Sequence, residues 1–463
     1  MKMKKSAKQK FLSWVLLFAL VLPGLGLAQE SPFGAVEKGK GTFLLLADIH
    51  FDPYADKDIL PQLVKAPFAQ WEDILSSSKQ MDPADYGVDT NHALWASCLS
   101  EVRKFSDVDY VIVNGDYLSH HFLTDFNQYV KGDNKAYLDF VEKTMLYISK
   151  SLQDALPQVP MYFCLGNNDS DCEDYSMTPE SPMLPPLTQF WATVAADTKA
   201  KAEFTEGGYY VVKHPTLKHQ EFVVLNDVFW ALKYDNACGQ AEDEPGKKEM
   251  IWLQQKLDDA RKKHLKVTIV DHMPLGIHAR NASEHFDSPK APKTFWRDVF
   301  AAHFTQLMKN YRDVVVGMFS GHTHYDDFRV VSSIQGKPLM FDHITPAVSP
   351  VRNNNPGFQV MEYDRETGEI ADMATYFLNL AQKGSDWALE YTFDQTYGLQ
   401  GYNAENLAAL SDKISNDEAT RKNYINFVAV SSQHTPPIND TNWKYFNCAH
   451  THMDDESYVT CHQ

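Results

Sequence analysis

Five times along this chain, a short apolar run ends in polar residues able to bind a metal. "LLLADIH" delivers Asp48 and His50, "VIVNGD" Asp116, "FCLGNND" Asn167, "TIVDHMP" His272, and "MFSGHTH" His322 and His324. Such runs read as buried strands, and they predict strands at 42–47, 110–114, 161–165, 221–226, 266–271 and 314–320. Helical patterns lie between them. Tyr137, Phe140, Val141, Ile148 and Leu152 share one face, as do Ile251, Leu253 and Leu257 in part. Alternation of this kind predicts an α/β layered domain. In open α/β sheets ligands bind beyond the carboxyl ends of the strands, which is where all five polar groups stand.

Between 327 and 377 the pattern changes to "FRVVSSI", "PLMFDHI", "FQVMEYD" and "ADMATYF", consecutive strands that predict a strand-rich second sheet. Helical patterns return after about residue 380 with "AENLAALSDKI" and "ATRKNYINFV". The expected division is a signal peptide over 1–28, a short lead-in over 29–41, the main domain over 42–380, and a helical C-terminal subdomain over 381–463.

The signal peptide rests on "MKMKKSAKQK", a basic start with five lysines, followed by the apolar "FLSWVLLFALVLPGLGLA". Gly26 and Ala28 stand three and one residues before a cut ahead of Gln29. Pro23 and Gly24 interrupt the apolar run, making it short for a membrane span, and no later segment is apolar enough for one. The chain is expected to be secreted or periplasmic, with an uncleaved N-terminal anchor as the alternative. Removing five lysines takes the formal charge from -18 to -23, which argues against binding of duplex nucleic acid. An oxidising compartment favours disulfides among the six cysteines. Cys448 and Cys461, thirteen residues apart, are expected to pair, and Cys172 with Cys238. Cys98 and Cys164 fall on a helix and a strand, where a buried free thiol is the plainer reading.

Carboxylate, imidazole and amide oxygen together suit borderline and harder divalent ions. Seven ligands (Asp48, His50, Asp116, Asn167, His272, His322 and His324) complete two shells only if one bridges, and a carboxylate does so naturally. Each motif alone is weak, since a lone DxH or Gly-Asp after a strand is more often turn chemistry. Their joint occurrence in order carries the reading.

The blocks "DIH", "NGD", "GNND", "DHMP" and "GHTH" resemble those of the calcineurin-like metallophosphoesterases. "FSGHTHYDDFRVV", "ITPAVSPVRNNNPGFQVMEYDRETGEI", "YTFDQTYGLQGYNAENLAAL" and the terminal "WKYFNCAHTHMDDESYVTC" are closer to the acid-sphingomyelinase-like phosphodiesterase branch. The last of these is similar to that branch's C-terminal disulfide element. The resemblance runs from about residue 42 to 461. It implies a layered α/β fold of two β-sheets flanked by helices, with a small C-terminal helical subdomain. It also implies two divalent ions, zinc by the habit of the branch, with manganese or iron acceptable to the same ligands. Asp48, His50, Asp116 and His324 would hold the first ion, and Asp116, Asn167, His272 and His322 the second. Hydroxide bridging the pair would attack in line on a phosphodiester, nucleotide or phosphoanhydride. Asp326 or Asp327 would orient a ligand histidine, or else be a solvated turn carboxylate.

Asn168 departs from the family pattern, which usually has histidine there to help the leaving group. An amide donates a hydrogen bond but does not transfer a proton near neutral pH. The catalytic acid is then expected at His120, in "GDYLSHH", where the branch carries a site histidine. The alternative is a leaving group that needs little help, as in an endopolyphosphatase-type anhydride hydrolase, which the GNND block also resembles. About a dozen residues separate Gln29 from the first strand. The lipid-presenting module of the namesake enzyme is therefore not expected, and a small soluble phosphorylated substrate fits better. The competing reading from another class is a catalytically impaired metal- or phosphate-binding protein. Lys247-Lys248 and Arg261-Lys262-Lys263 are the basic runs available to a polyanion, although such runs are more often solvated helix faces.

Overall fold

The computed structural model describes residues 31–34, 38–195, 200–234, 244–285 and 294–462. The expected signal peptide lies outside them. Among the described residues, twelve strands form two six-stranded sheets. The first, in the order β12-β11-β10-β1-β2-β3, uses β1 (Lys40–Leu46), β2 (Tyr110–Val113), β3 (Met161–Phe163), β10 (Gly357–Asp364), β11 (Ile370–Leu378) and β12 (Trp387–Thr392). The second, in the order β4-β5-β6-β7-β9-β8, uses β4 (Tyr210–Lys213), β5 (Gln220–Val224), β6 (Lys266–Val270), β7 (Val315–Ser320), β8 (Asp327–Ser332) and β9 (Pro338–Ile344).

The strands that precede the polar motifs lie among the parallel strands of both sheets. β1 pairs in parallel with β2 and β2 with β3, while β5, β6 and β7 run parallel in turn. These strands are buried almost throughout, as their continuous apolar runs require. The sheets pack face to face through aromatic rings: Phe43 meets Phe319 at 5.6 Å, and Tyr162 meets Phe222 at 4.7 Å.

Two expectations need correction. The four strands between 327 and 377 are not a sheet of their own. β8 and β9 complete the second sheet, while β10 and β11 extend the first on the far side of β1. Hairpin pairing, β8 with β9 and β10 with β11, is local and legible, but the sheet each hairpin joins is set by contacts far away in sequence. β12 extends the first sheet beyond residue 380, where helix was expected to begin.

The helix Asn134–Ala155 buries Tyr137, Phe140, Val141, Ile148 and Leu152 as patterned, whereas in Glu244–Lys262 Leu253 and Leu257 are buried but Ile251 is 58% exposed. The C-terminal segment supplies the helices Ala404–Asn416, Glu418–Val428 and Trp443–Thr451. Cys448 and Cys461 form a disulfide, and Cys98 and Cys164 are buried free thiols. Cys172 is disulfide-bonded, and Cys238, its expected partner, lies outside the described residues.

Asp326 and Asp327 play neither expected role. Asp326 accepts from Thr375 and Tyr391. Asp327 takes Arg329 Nη1 at 2.8 Å, His450 Nε2 at 2.9 Å and Tyr424 Oη at 2.9 Å, tying two C-terminal helices to β8. Burial would raise the Asp327 carboxyl, but Arg329 and His450 outweigh it and hold it well below the usual range. Asp327→Ala would leave Arg329, 1% exposed, as an unpaired buried charge. Thermal or urea denaturation should show a loss of about 3–5 kcal/mol. A loss within ~0.5 kcal/mol, the range of ordinary surface changes, would show that the cluster does not anchor these helices.

Candidate metal centre

The loops leaving β1, β2, β3, β6 and β7 converge where the carboxyl ends of both sheets meet. Their backbones are unusual. Asp48 (φ 49°), His50 (43°), Asp116 (54°), His322 (67°) and His324 (68°) all lie in the left-handed region. An L residue there costs about 1–2 kcal/mol, so five such positions mark a site whose surroundings enforce its shape. Cross-loop hydrogen bonds do so. His50 N donates to Asp116 O at 2.9 Å, His322 N to Asp48 Oδ2 at 2.8 Å, and Gly321 N to His272 O at 2.8 Å. Gly115 and Gly166 allow the close approach: a Cβ on Gly115 would sit 2.7 Å from the Gly166 nitrogen, and one on Gly166 2.4 Å from the Asp116 nitrogen. Asn114 joins the two sheets beneath the site, its amide donating to Asp271 O (2.9 Å) and Phe319 O (2.7 Å).

The seven expected ligands come together in two groups. In the first, His50 Nε2 lies 3.1 Å from His324 Nε2, 3.4 Å from Asp116 Oδ2 and 3.7 Å from Asp48 Oδ1, and His324 Nε2 lies 3.5 Å from Asp48 Oδ1. In the second, His272 Nε2 lies 3.4 Å from Asp116 Oδ2, 3.0 Å from Asn167 Oδ1 and 3.2 Å from His322 Nδ1. Asp116 Oδ2 is common to both. A tetrahedral ion with bonds of about 2.1 Å has ligand–ligand edges of about 3.4 Å, so both groups have the spacing of a coordination shell.

The orientation of each donor is fixed from behind. His50 Nδ1 donates to Leu118 O (2.9 Å) and His272 Nδ1 to Asn114 O (2.7 Å), which leaves each Nε2 lone pair facing inward. Asp174 Oδ1 accepts from Asn167 Nδ2 at 2.6 Å and so points the amide oxygen at the site. Asp48 Oδ1 is buried without a hydrogen-bond partner, an orphaned acceptor that a cation would satisfy. Burial disfavours imidazolium at His50 and His272, yet the Asp116 carboxylate overcomes it and pushes them up to about 9 and about 10. The cluster thus draws positive charge, and the donor set fits divalent cations. Asp174→Ala frees the Asn167 amide to rotate. Metal affinity, measured by competition with a chelating dye, should fall about 10–100-fold. Unchanged affinity would remove Asp174 from the account.

His120 is beside the first group. Its ring stacks on His50 at 4.1 Å, and one of its nitrogens lies within 4.8 Å of nitrogens of His50 and His324. His120 Nδ1 faces Asp89 Oδ1 at 3.0 Å. Burial would raise the Asp89 carboxyl, but His120 and His50 hold it below its usual value. Asn168 turns inward. Its backbone and side-chain amides donate to Asp116 Oδ1 and Oδ2, both at 2.8 Å, so it steadies the shared carboxylate. Asp169 links the same loops, accepting from Gly166 N, Tyr117 N and Leu118 N. Asp89, Asp174 and Asp169 were not singled out from the sequence. Asp169 stands within the GNND block, but nothing in the sequence pairs Asp89 with His120.

Seven convergent donors at the strand ends of two packed sheets form a candidate centre for divalent cations. The chain belongs to the calcineurin-like phosphoesterases, whose family matches residues 41–326, and residues 337–463 match the acid sphingomyelin phosphodiesterase C-terminal region. It is similar to acid sphingomyelinase-like phosphodiesterase 3b of Homo sapiens, at 27% identity over 93% of this chain and 91% of that protein. It also resembles the cyclic GMP-AMP phosphodiesterase of Homo sapiens, at 27% identity over 70% and 71% of the two chains. Sphingomyelinase phosphodiesterase D of Dictyostelium discoideum is 24% identical over 83% and 87%. The chain is accordingly an enzyme of the acid-sphingomyelinase-like metallophosphoesterase group.

Proposed function

We propose that this enzyme is an exported, dinuclear-metal phosphodiesterase acting on a small phosphorylated substrate. The two donor groups sharing Asp116 Oδ2 carry the reading. Asp48, His50, Asp116 and His324 would hold one ion, and Asp116, Asn167, His272 and His322 the other, with zinc, manganese or iron all compatible with these donors. Bound cations would stabilise charge on the phosphoryl oxygens and make water a better nucleophile.

The protein's own groups do the rest. When protonated, His120 donates from Nδ1 to Asp89, which holds the ring in place, and keeps Nε2–H for the leaving-group oxygen. Asn168, occupied with Asp116, orients that carboxylate and does not serve the leaving group. The relatives' names include phosphodiesterases of cyclic GMP-AMP and of sphingomyelin, which makes phosphodiesters the first substrates to assay. Export is supported by the basic-then-apolar leader and the Cys448–Cys461 disulfide. Among the described residues no helix is long and apolar enough to cross a membrane.

Hydrolysis of bis-p-nitrophenyl phosphate with added zinc or manganese tests the reading. Metal-dependent release of p-nitrophenol is expected. Bound metal without turnover across metals and pH would instead favour a metal- or phosphate-binding protein.

A further inference from the structure

The four ring donors of the metal centre are not held alike. His50 and His272 are fully buried, and each donates Nδ1–H to a backbone carbonyl so that Nε2 faces inward. His324 Nδ1 has no hydrogen-bond partner among the described residues, but its ring is buried and stacks on His50 at 4.9 Å. His322 differs from all three. It is half-buried, and it turns the opposite nitrogen inward, with Nδ1 3.2 Å from His272 Nε2. Its contacts with the rings of His272 and Phe295 are edge-on, at 5.0 and 5.3 Å, and hydrogen-bond to neither nitrogen from outside the centre. What meets the outward nitrogen is a phenol: Tyr175 Oη lies 3.3 Å from His322 Nε2.

Tyr175 occupies a costly position. It is the third residue of a β-turn closed by Ser176 N donating to Glu173 O at 2.8 Å. Its φ of 62° is the left-handed value that such a position ordinarily gives to glycine or asparagine. A buried tyrosine in that conformation persists only where its surroundings over-determine it, and such residues gather at functional sites. Tyr175 N donates to Asn167 O at 2.9 Å, folding the turn back onto a donor residue, and Lys233 Nζ stands 5.1 Å from the ring centroid. The preceding residue, Asp174, orients the Asn167 amide. Consecutive residues of one turn therefore reach two donors of the same group. A cation on His322 Nδ1 requires the ring hydrogen on Nε2, and a phenol oxygen can accept it. We propose that Tyr175 is the positioning residue for His322: its Oη accepts from Nε2–H, fixes that tautomer and holds Nδ1 toward the second cation. The proposal rests on the dinuclear reading above. It makes the loop from Asn167 to Tyr175 the element that sets the second site, because the loop supplies one donor, aims it, and aims another.

Tyr175→Phe is the test, because the ring, its contact with Lys233 and the turn remain while the acceptor oxygen goes. Metal-free protein is titrated with Zn²⁺ in competition with a chelating dye, which reads a dissociation constant for each equivalent bound. One constant of the variant should weaken about 10–100-fold, the usual effect of removing a group that orients a metal-binding histidine. The other should stay within about threefold, since His322 belongs to one donor group only. In proton NMR spectra of the zinc-loaded proteins, the variant should also lose one slowly exchanging downfield imidazole N–H resonance that wild type shows. A role in packing alone would move neither readout, so unchanged constants with the resonance retained overturn the proposal. Equal weakening of both constants overturns it as well, because the effect would then not pass through His322. Fewer than two equivalents bound by wild type would remove the dinuclear reading and this proposal together, whereas two equivalents with constants unaltered in the variant would remove Tyr175 alone.

Discussion

Asp116→Ala is expected to lower turnover of bis-p-nitrophenyl phosphate by about three orders of magnitude or more, and to lower bound metal with it. The reason is geometric. Asp116 Oδ2 is the single atom 3.4 Å from both His50 Nε2 and His272 Nε2, so its loss opens both donor groups at once. The backbone hydrogen bond from His50 N to Asp116 O does not depend on the side chain, which keeps the loops in register. Asp116→Asn retains the shape but not the bridging charge, and should fall nearly as far. A loss below about tenfold in either variant, with folding confirmed by thermal denaturation, would contradict a shared carboxylate.

His120→Ala should separate substrates by leaving group. An alkoxide needs a proton as it departs, so turnover of an alkyl phosphodiester should fall by about 10²- to 10⁴-fold. Turnover of p-nitrophenyl esters or anhydrides should fall by less than about tenfold, because those leaving groups are stable as anions. Asp89→Asn should produce a smaller loss with the same substrate dependence, since Asp89 acts through the His120 ring. Equal losses on good and poor leaving groups would remove His120 as the acid. That result would leave Asn168→His as the informative change, but its side chain would first have to release Asp116 Oδ2.

The ligands were legible because each is local: a buried strand stops and, within two to four residues, a donor follows, as with Leu46 before Asp48 and His50. Strand identity followed from apolar runs, and β1, β2 and β5 to β7 differ from the predicted spans by a residue or two. What sequence could not supply is what distant segments do to one another. Asp89 meets His120 across a loop, and Arg352 reaches the site from the connection between β9 and β10. The destination of the hairpins β8–β9 and β10–β11 was likewise a long-range choice. Asp326 and Asp327 looked like turn or ligand-orienting carboxylates because their partners lie far on in the sequence, Thr375 and Tyr391 for Asp326 and Tyr424 and His450 for Asp327. Ile251 shows the limit of periodicity: it shares the helical pattern but faces solvent.

Asp116 is expected to organise two cation sites through one shared carboxylate. Titration of metal-free protein with Zn²⁺ or Mn²⁺, followed by binding and by bis-p-nitrophenyl phosphate hydrolysis in parallel, tests it most directly. Two equivalents per chain, with turnover arising as the second site fills, is the predicted result. Saturation at a single equivalent with full activity, or activity that persists in the metal-free protein, would contradict it.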